Sequence, residues 1–484
     1  MIFNSVIFLV FFPIVTFLYF ALPHKYRWFL LLSASVYFYM SFVPEYILIL
    51  ALTIAIDYIA GIWIEKSHSK KRKVFLILSL IANISILFFF KYFNFFNHNL
   101  EKIADLLDWN YSITSLKILL PVGLSFHTFQ SMSYTIEVYR GHQKAERNFG
   151  IFALYVMFYP QLVAGPIERP QNLLHQFHEK HQFEIDRLGR GLRLMVWGFF
   201  KKIVIADRLA VFVNQVFNNV YDYHGVSLLI AVIFFAFQIY CDFSGYSDIA
   251  IGAADVMGFK LMKNFNRPYI SASISEFWTR WHISLSSWFK DYVYIPLGGS
   301  RVAFWQWNLN LIIVFLISGL WHGARWTFVF WGLLNGLYLI GENFGKKYGA
   351  DLSKHLKLNH YPRLQKIGQI IFTFTLTCFA WIFFRANTFR DAFYIIKNIF
   401  SGWSNLFGQI QDSKFVYEFI YLKEFPAAFY LGIGSIITLL ILENWRERRW
   451  HLAPWQRTTL YLLLVFLIFF VGEFKDQQFI YFQF

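Results

Sequence analysis

Apolar residues in this chain come in long runs, not in short alternations. The runs lie near 2–22, 28–43, 46–64, 74–96, 118–138, 149–165, 226–250, 305–321, 326–341, 367–384, 427–443 and 458–472. A run of roughly 18 or more apolar residues is long enough to cross a bilayer as a helix. The shorter runs suit tilted, re-entrant or buried helices. The pattern predicts an all-α polytopic membrane protein with about 10–12 membrane segments plus interfacial and re-entrant helices.

Two stretches break the pattern. Residues 167–225 are mixed, and RGLRLMVWGFFKKIVIADRL (190–209) reads as an amphipathic helix. Such a helix is expected to lie along the interface with its Arg and Lys toward lipid phosphates. Residues 256–304 are too polar to cross lipid yet rich in Trp and Tyr. Irregular backbone at membrane depth survives only enclosed by protein or lining a wet cavity, so this stretch is expected to be partly re-entrant on the cytoplasmic side.

Lys and Arg set the orientation. KSHSKKRK (66–73) is the strongest basic loop and is assigned to the cytoplasm. Alternation then puts Lys25, Arg27, Arg140, Lys144 and Arg147 inside as well. RERR (446–449) agrees, which leaves both termini outside. The first run, Ile2 to Leu22, lacks a basic n-region and a small-residue cleavage site, so it reads as a span and not as a signal peptide.

Composition supports the membrane class. Only 15% of the 484 residues are charged, against about 25% in a soluble chain. Hydrophobic residues make up 57% and aromatic residues 22%, with 60 Phe and 17 Trp. The net charge of +15 follows the short loops between spans, so it calls for no nucleic-acid partner. Cys241 and Cys378 give no disulfide framework. No linker or internal repeat divides the chain. It is expected to be a single domain over 1–484, with a core motif region at about 118–342 and peripheral helices at 1–96 and 365–484.

Candidate chemistry centres on SGLWHGARW (318–326), where His322 interrupts two uncharged runs. A neutral imidazole can accept a proton at physiological pH, and ionisable residues in membrane segments mark function by default. The alternative is a histidine that bonds a carbonyl to pin two helices. Gly319 and Gly323 permit close backbone approach, and Ser318 and Arg325 add polar groups. His282 sits in EFWTRWHISLSSW (276–288), which reads either as an interfacial anchor or as the wall of a tunnel.

Asp242 and Asp248, in YCDFSGYSDIAIG (240–252), could serve acid–base work or bind a cation. A structural role in a polar interior is the plainer reading, as it is for Asp57 and Glu137. Asp242 is nonetheless kept as a candidate substrate contact. His175, His178 and His181 are spaced as zinc ligands can be, but no HExxH or CxxC accompanies them, and no metal site is assigned. PLGGSR (296–301) reads as a turn, its two glycines being a weak phosphate signal.

The chain resembles the membrane-bound O-acyltransferase family, in particular its branch that modifies bacterial polysaccharides such as alginate. The matching stretches are LPVGLSFHTFQSMSYTIEVYRG (120–141), FYPQLVAGPIERP (158–170), YCDFSGYSDIAIGAADVMGF (240–259), NFNRPYISASISEFWTRWHISLSSWFKDYVYIPLGGSR (264–301), SGLWHGARWTFVFWGLLNG (318–336) and FIYFQF (479–484). The resemblance implies a helical funnel or tunnel in the bacterial inner membrane. It makes His322 the family's invariant histidine and His282 its second polar position.

On that footing His322 is the expected general base and His282 orients it or the thioester. Trp278, Arg280, Trp281 and Trp321 are expected to line the donor path, with Ser318 and Asp242 as further substrate contacts. No bound cofactor is implied. Acetyl-coenzyme A or another acyl thioester, free or on a carrier protein, would be co-substrate, and Lys260, Lys263, Arg267 and Arg280 would suit its negative charge. An extracytoplasmic acyltransferase is the expected partner. The rival readings are D-alanyl transfer from a carrier protein to a wall polymer, a transporter or flippase using Asp57, Asp242 and Asp248, and a non-catalytic scaffold.

Overall fold

The long apolar runs are helices. The computed structural model describes residues 1–116, 121–163, 165–355, 360–405, 408, 411–422, 426–447, 453–474 and 479–480. Arg448 and Arg449 of the second basic signal, Leu120 of the first matching stretch and the last four residues lie outside the described residues. The main helices are α1 (Val6–Ala21), α2 (His24–Met40), α3 (Ile47–Lys66), α4 (Ser69–Leu87), α5 (Phe93–Leu106), α6 (Leu124–Arg140), α7 (Phe149–Met157), α8 (Ile185–Phe199), α9 (Asp207–Asn218) and α10 (Val226–Met257). They continue as α11 (Ile274–Arg280), α12 (Ile283–Phe289), α13 (Phe304–His322), α14 (Trp326–His355), α15 (Pro362–Arg385), α16 (Phe389–Asn398), α17 (Pro426–Glu447) and α18 (Pro454–Val471).

Among the described residues, six helical stretches are long and apolar enough to cross a bilayer: 44–66, 69–106, 226–257, 304–322, 362–385 and 426–444. Two shorter apolar helices, 6–21 and 455–471, join them. The chain is an all-α, multi-pass membrane protein. Helices α2, α6 and α14 also stand where the apolar pattern predicted spans but lie outside that set, α2 and α6 being 17 residues long.

The chain forms two units: residues 1–195 with 246–263, and residues 196–245 with 264–484. In the first unit α6 is enclosed by protein almost throughout, although it carries Ser131, Ser133, Thr135 and Glu137. Each buried polar group needs a partner. Asp57 of α3 accepts hydrogen bonds from Ser79 Oγ at 2.6 Å, from Asn83 Nδ2 at 2.9 Å and from Ser131 Oγ. Glu137 accepts from Arg140 and Gln171.

The run 149–165 is not one helix. α7 stops at Met157, and a separate turn, Tyr159–Leu162, follows. Pro160 has no N–H to donate and restricts the residue before it, so the helix cannot continue through this point. His175, His178 and His181 do not converge. His178 Nε2 lies 2.8 Å from Glu146 and His181 Nε2 3.0 Å from Gln176 O. Among the described residues, no three His, Cys, Asp or Glu residues gather as a metal-binding group.

In the second unit the amphipathic reading of 190–209 needs correction at Lys201 and Lys202. α8 runs into a π-turn at Phe200–Ala206 and then into α9. A π-turn inserts an extra residue and rotates the side chains that follow. Lys201 and Lys202 lie within this turn and are buried instead of facing phosphates. Lys202 Nζ bridges Asp207 Oδ1 and Asp242 Oδ1, each at 2.7 Å, and Lys201 Nζ donates to Ser244 Oγ at 2.9 Å. PLGGSR is a turn, as its glycines suggest: Asn310 Nδ2 donates to Leu297 O and Gly299 O.

Candidate active site

The polar, Trp-rich stretch 264–294 builds the site on two short helices and a bracket. α11 begins where Ser273 Oγ accepts from Glu276 N at 3.1 Å, while Glu276 accepts in turn from Ala272 N at 2.7 Å. This reciprocal cap satisfies donors that the first helical turn leaves open. α11 ends at Arg280, whose carbonyl accepts from Asn266 N at 2.8 Å. The Arg280 guanidinium is held by Glu276 at 2.7 Å and donates to Asn266 O at 3.2 Å.

His282 links the two helices in a left-handed conformation, φ +42° and ψ 55°. Such a backbone costs a side-chain-bearing residue of order 1–3 kcal/mol and persists only where its surroundings over-determine it. Asn264 supplies the constraint. Its carbonyl accepts from Ile283 N at 2.8 Å. Its Oδ1 accepts from Ser284 N at 3.2 Å, Ser284 Oγ at 2.9 Å and His282 Nδ1 at 3.1 Å. Asn264 thus caps α12 from a distant strand of chain. The Ser284 N–H can only donate, so the atom it meets is the amide oxygen, and His282 Nδ1 must carry the proton. The lone pair of His282 is then on Nε2. Burial drives the His282 pKa down to about 3, so the ring is neutral at physiological pH.

His322 ends α13, directly before Gly323. α13 and α14 approach so closely that a Cβ at Gly319 would fall 2.3 Å from the Phe328 carbonyl oxygen, and one at Gly323 2.3 Å from the Phe328 ring. That approach seats His322 among aromatic rings. Its centroid lies 5.0 Å from Trp321, 5.0 Å from Trp331 and 5.3 Å from Phe384. His282 has a similar cage, with Phe243 edge-on at 4.6 Å and Trp321 at 6.1 Å. Trp321 contacts both imidazoles.

A cavity of about 350 Å³ adjoins this cluster, lined by Trp278, Ile283, Leu285, Phe315 and Ser318 among others. Its size falls at the lower end of small-molecule sites. Trp278 packs its ring 5.0 Å from Phe315 and 5.9 Å from Trp331. Its indole N–H is buried and makes no hydrogen bond among the described residues.

His282, His322, Trp278, Trp281, Ser318 and Trp321 therefore come together in one unit. Trp281 is buried within the aromatic cluster, 5.1 Å from Trp381, and does not line the cavity. Arg280 turns to Glu276, and Asp242 is engaged by Lys202 and by Ile480 N at 2.8 Å. Asn264, Phe243, Trp331 and Phe384 are site residues that sequence reasoning missed. Asn264 begins a quoted matching stretch, which was the one signal available for it.

The membrane-bound O-acyltransferase family profile matches residues 142–384, which hold both histidines and the cavity. The chain belongs to the membrane-bound O-acyltransferase family. This O-acyltransferase is 39% identical over 405 residues to the probable alginate O-acetylase AlgI of Pseudomonas aeruginosa, covering 83% of this chain and 75% of that protein. It is 32% identical over 499 residues to the peptidoglycan O-acetyltransferase of Helicobacter pylori, covering 94% and 91%. The teichoic acid D-alanyltransferase of Bacillus subtilis is 28% identical over 292 residues, covering 56% and 69%. Family membership makes the chain an enzyme and sets aside the transporter and scaffold readings.

Proposed function

We propose that this acyltransferase passes an acetyl group from a cytoplasmic thioester across the bacterial inner membrane toward hydroxyls of an extracytoplasmic polysaccharide, through a partner acyltransferase. The observation that carries the reading is the pair of buried imidazoles sharing Trp321 beside the Trp278 cavity. The greater identity and coverage of the O-acetylases favour acetyl over D-alanyl transfer. The donor is acetyl-coenzyme A or an acylated carrier protein. The basic loop at 66–73 supports a cytoplasmic face there and an N-terminus outside, and the basic signal at 446–449 supports a C-terminus outside.

In the reaction an acceptor hydroxyl attacks the thioester carbonyl. A carbon–oxygen bond forms, the carbon–sulfur bond breaks, and the hydroxyl proton passes through the base to the departing thiolate. His322 takes that proton. His282, neutral with its lone pair on Nε2, orients the group that His322 deprotonates. The buried Trp278 N–H donates to the developing oxyanion. The aromatic walls exclude water, which would otherwise compete as acceptor.

The test is acetyl transfer by membranes containing His322→Ala or His282→Ala, fed an acetyl-labelled thioester and the partner. Loss of transfer with normal membrane insertion is expected for His322→Ala, and a smaller loss for His282→Ala. Transfer undiminished in His322→Ala would remove the base assignment.

A further inference from the structure

Asp242 and Phe243 are neighbours on α10, and one distant segment of the same unit reaches both. Phe479 and Ile480 are 0% and 2% exposed. Ile480 N donates to Asp242 Oδ2 at 2.8 Å. The Phe479 ring lies 5.9 Å from that of Phe243, with the planes at 70°. Consecutive helical residues point about 100° apart, so a segment that meets both resists rotation of this turn of α10.

One of the two contacts is anchored by charge. Asp242 Oδ1 lies 2.7 Å from Lys202 Nζ, which meets Asp207 Oδ1 at the same distance. A carboxylate held in this way is a fixed acceptor, and an N–H bonded to it is held more firmly than one bonded to a neutral carbonyl. The other contact leads to the site. Phe243 meets the His282 ring edge-on, with centroids 4.6 Å apart and planes at 87°. Phe265 lies 5.0 Å from Phe243 and 6.2 Å from His282. Phe243 is thus packed among His282, Phe265 and Phe479, and a close-packed interior transmits the displacement of one ring to the next.

His282 needs support on this side. Its left-handed backbone persists only where its surroundings over-determine it. Asn264 fixes the Nδ1 edge of the imidazole at 3.1 Å. That single bond leaves the ring free to tilt about it, and the edge-on Phe243 sets the tilt.

We propose that Phe479 and Ile480 form a positioning element of the active site: Ile480 docks the segment on Asp242, and Phe479 backs the Phe243 ring that sets the angle of His282. Both act through Phe243 and are positioning residues. Asp242, expected from sequence to contact substrate, is on this account the docking point of the segment. The inference rests on the role given above to His282 in acyl transfer.

The test uses full-length variants in membranes and two readouts. One is labelled acetyl transfer. The other is carbethoxylation of His282 by diethyl pyrocarbonate, followed by mass spectrometry of its peptide. Phe479→Leu keeps an apolar side chain and removes the ring. Among folded molecules kcat should fall by about 10–10²-fold with KM little changed, the scale of a misplacement of about 1 Å. His282 should be labelled several-fold faster, because Phe243 no longer shields it as closely. Ile480→Pro removes the N–H that meets Asp242 and should act in the same direction; if it fails to fold, Phe479→Leu decides alone. Labelling at the wild-type rate would overturn the proposal whatever the melting temperature does, since His282 would then be held as before. Faster labelling with wild-type kcat, where His282→Ala is inactive, would overturn it as well, because the angle of the ring would not matter to transfer. His282→Ala separates the two ideas. Transfer surviving in that variant would strike the role of His282, and faster labelling in Phe479→Leu would still establish the positioning.

Discussion

Asn264 offers a sharp test of how the site is held. Its side-chain oxygen is the single atom on which His282 Nδ1, Ser284 N and Ser284 Oγ converge, at 3.1, 3.2 and 2.9 Å. Asn264→Ala removes that atom and leaves the backbone bond to Ile283 in place. The Ser284 hydroxyl, 3.4 Å from His282 Nδ1, is only a more distant substitute acceptor for the imidazole N–H, and the Ser284 N–H is left buried without one. An orphaned donor costs about 1–3 kcal/mol, so stability should fall by about 2 kcal/mol. Activity should fall further than folding, because the tautomer of His282 is no longer selected. A lost preference of about 1 kcal/mol corresponds to a rate reduction of about fivefold among molecules that remain folded.

Asn264→Asp separates the two effects. It keeps the acceptor geometry and adds a negative charge beside the ring, which favours the imidazolium. The acid limb of the rate profile should then move up by at least about one pH unit. The assay is labelled acetyl transfer against pH, normalised to folded protein by size-exclusion chromatography. Wild-type rate and profile in both variants would refute the idea that Asn264 sets the state of His282.

Trp278→Phe keeps the ring against Phe315 and removes only the N–H. We expect a fall in kcat of about 10²-fold with KM little changed, as for loss of one oxyanion donor, measured by steady-state transfer. Lys202→Met leaves Asp207 and Asp242 buried with no cation between them. It should cost about 3–5 kcal/mol, read as a lower melting temperature in detergent, and Lys202→Met with Asp242→Asn should recover part of it. Burial depresses the His282 pKa to about 3, so the folded state refuses a proton that the unfolded chain accepts below about pH 6.5. The contribution is fully present above that pH and is lost as pH falls toward the folded value, at about 1.4 kcal/mol per unit. Chemical unfolding at pH 7 and pH 5 should show the drop in wild type and a shallower one in His282→Gln.

Much of this architecture is legible in one sequence because lipid simplifies the code. A long uncharged run such as Val226–Tyr240 has few structural options, and it is the start of helix α10. His322 stands out for the same reason, since a polar ring between two apolar runs is costly unless used. What could not be read are pairings across sequence distance. Asn264 looks like an ordinary polar residue until the fold brings it to His282, eighteen positions on. Lys201 and Lys202 fit an interfacial pattern, and only the π-turn and the carboxylates of Asp207 and Asp242 explain their burial. The sequence neighbours of Trp281 suggest a tunnel wall, and in the fold its ring packs against Phe277 and Trp381 inside the cluster. Aromatic composition announces a lined site but does not say which rings face the cavity.

The most direct measurement is transfer of labelled acetyl from a thioester to the partner or glycan by membranes carrying wild-type protein or His322→Ala at equal, folded abundance. The account predicts transfer in wild type and a loss of at least about 10³-fold in the variant, the scale of a positioned general base. Equal transfer by the two proteins would contradict it.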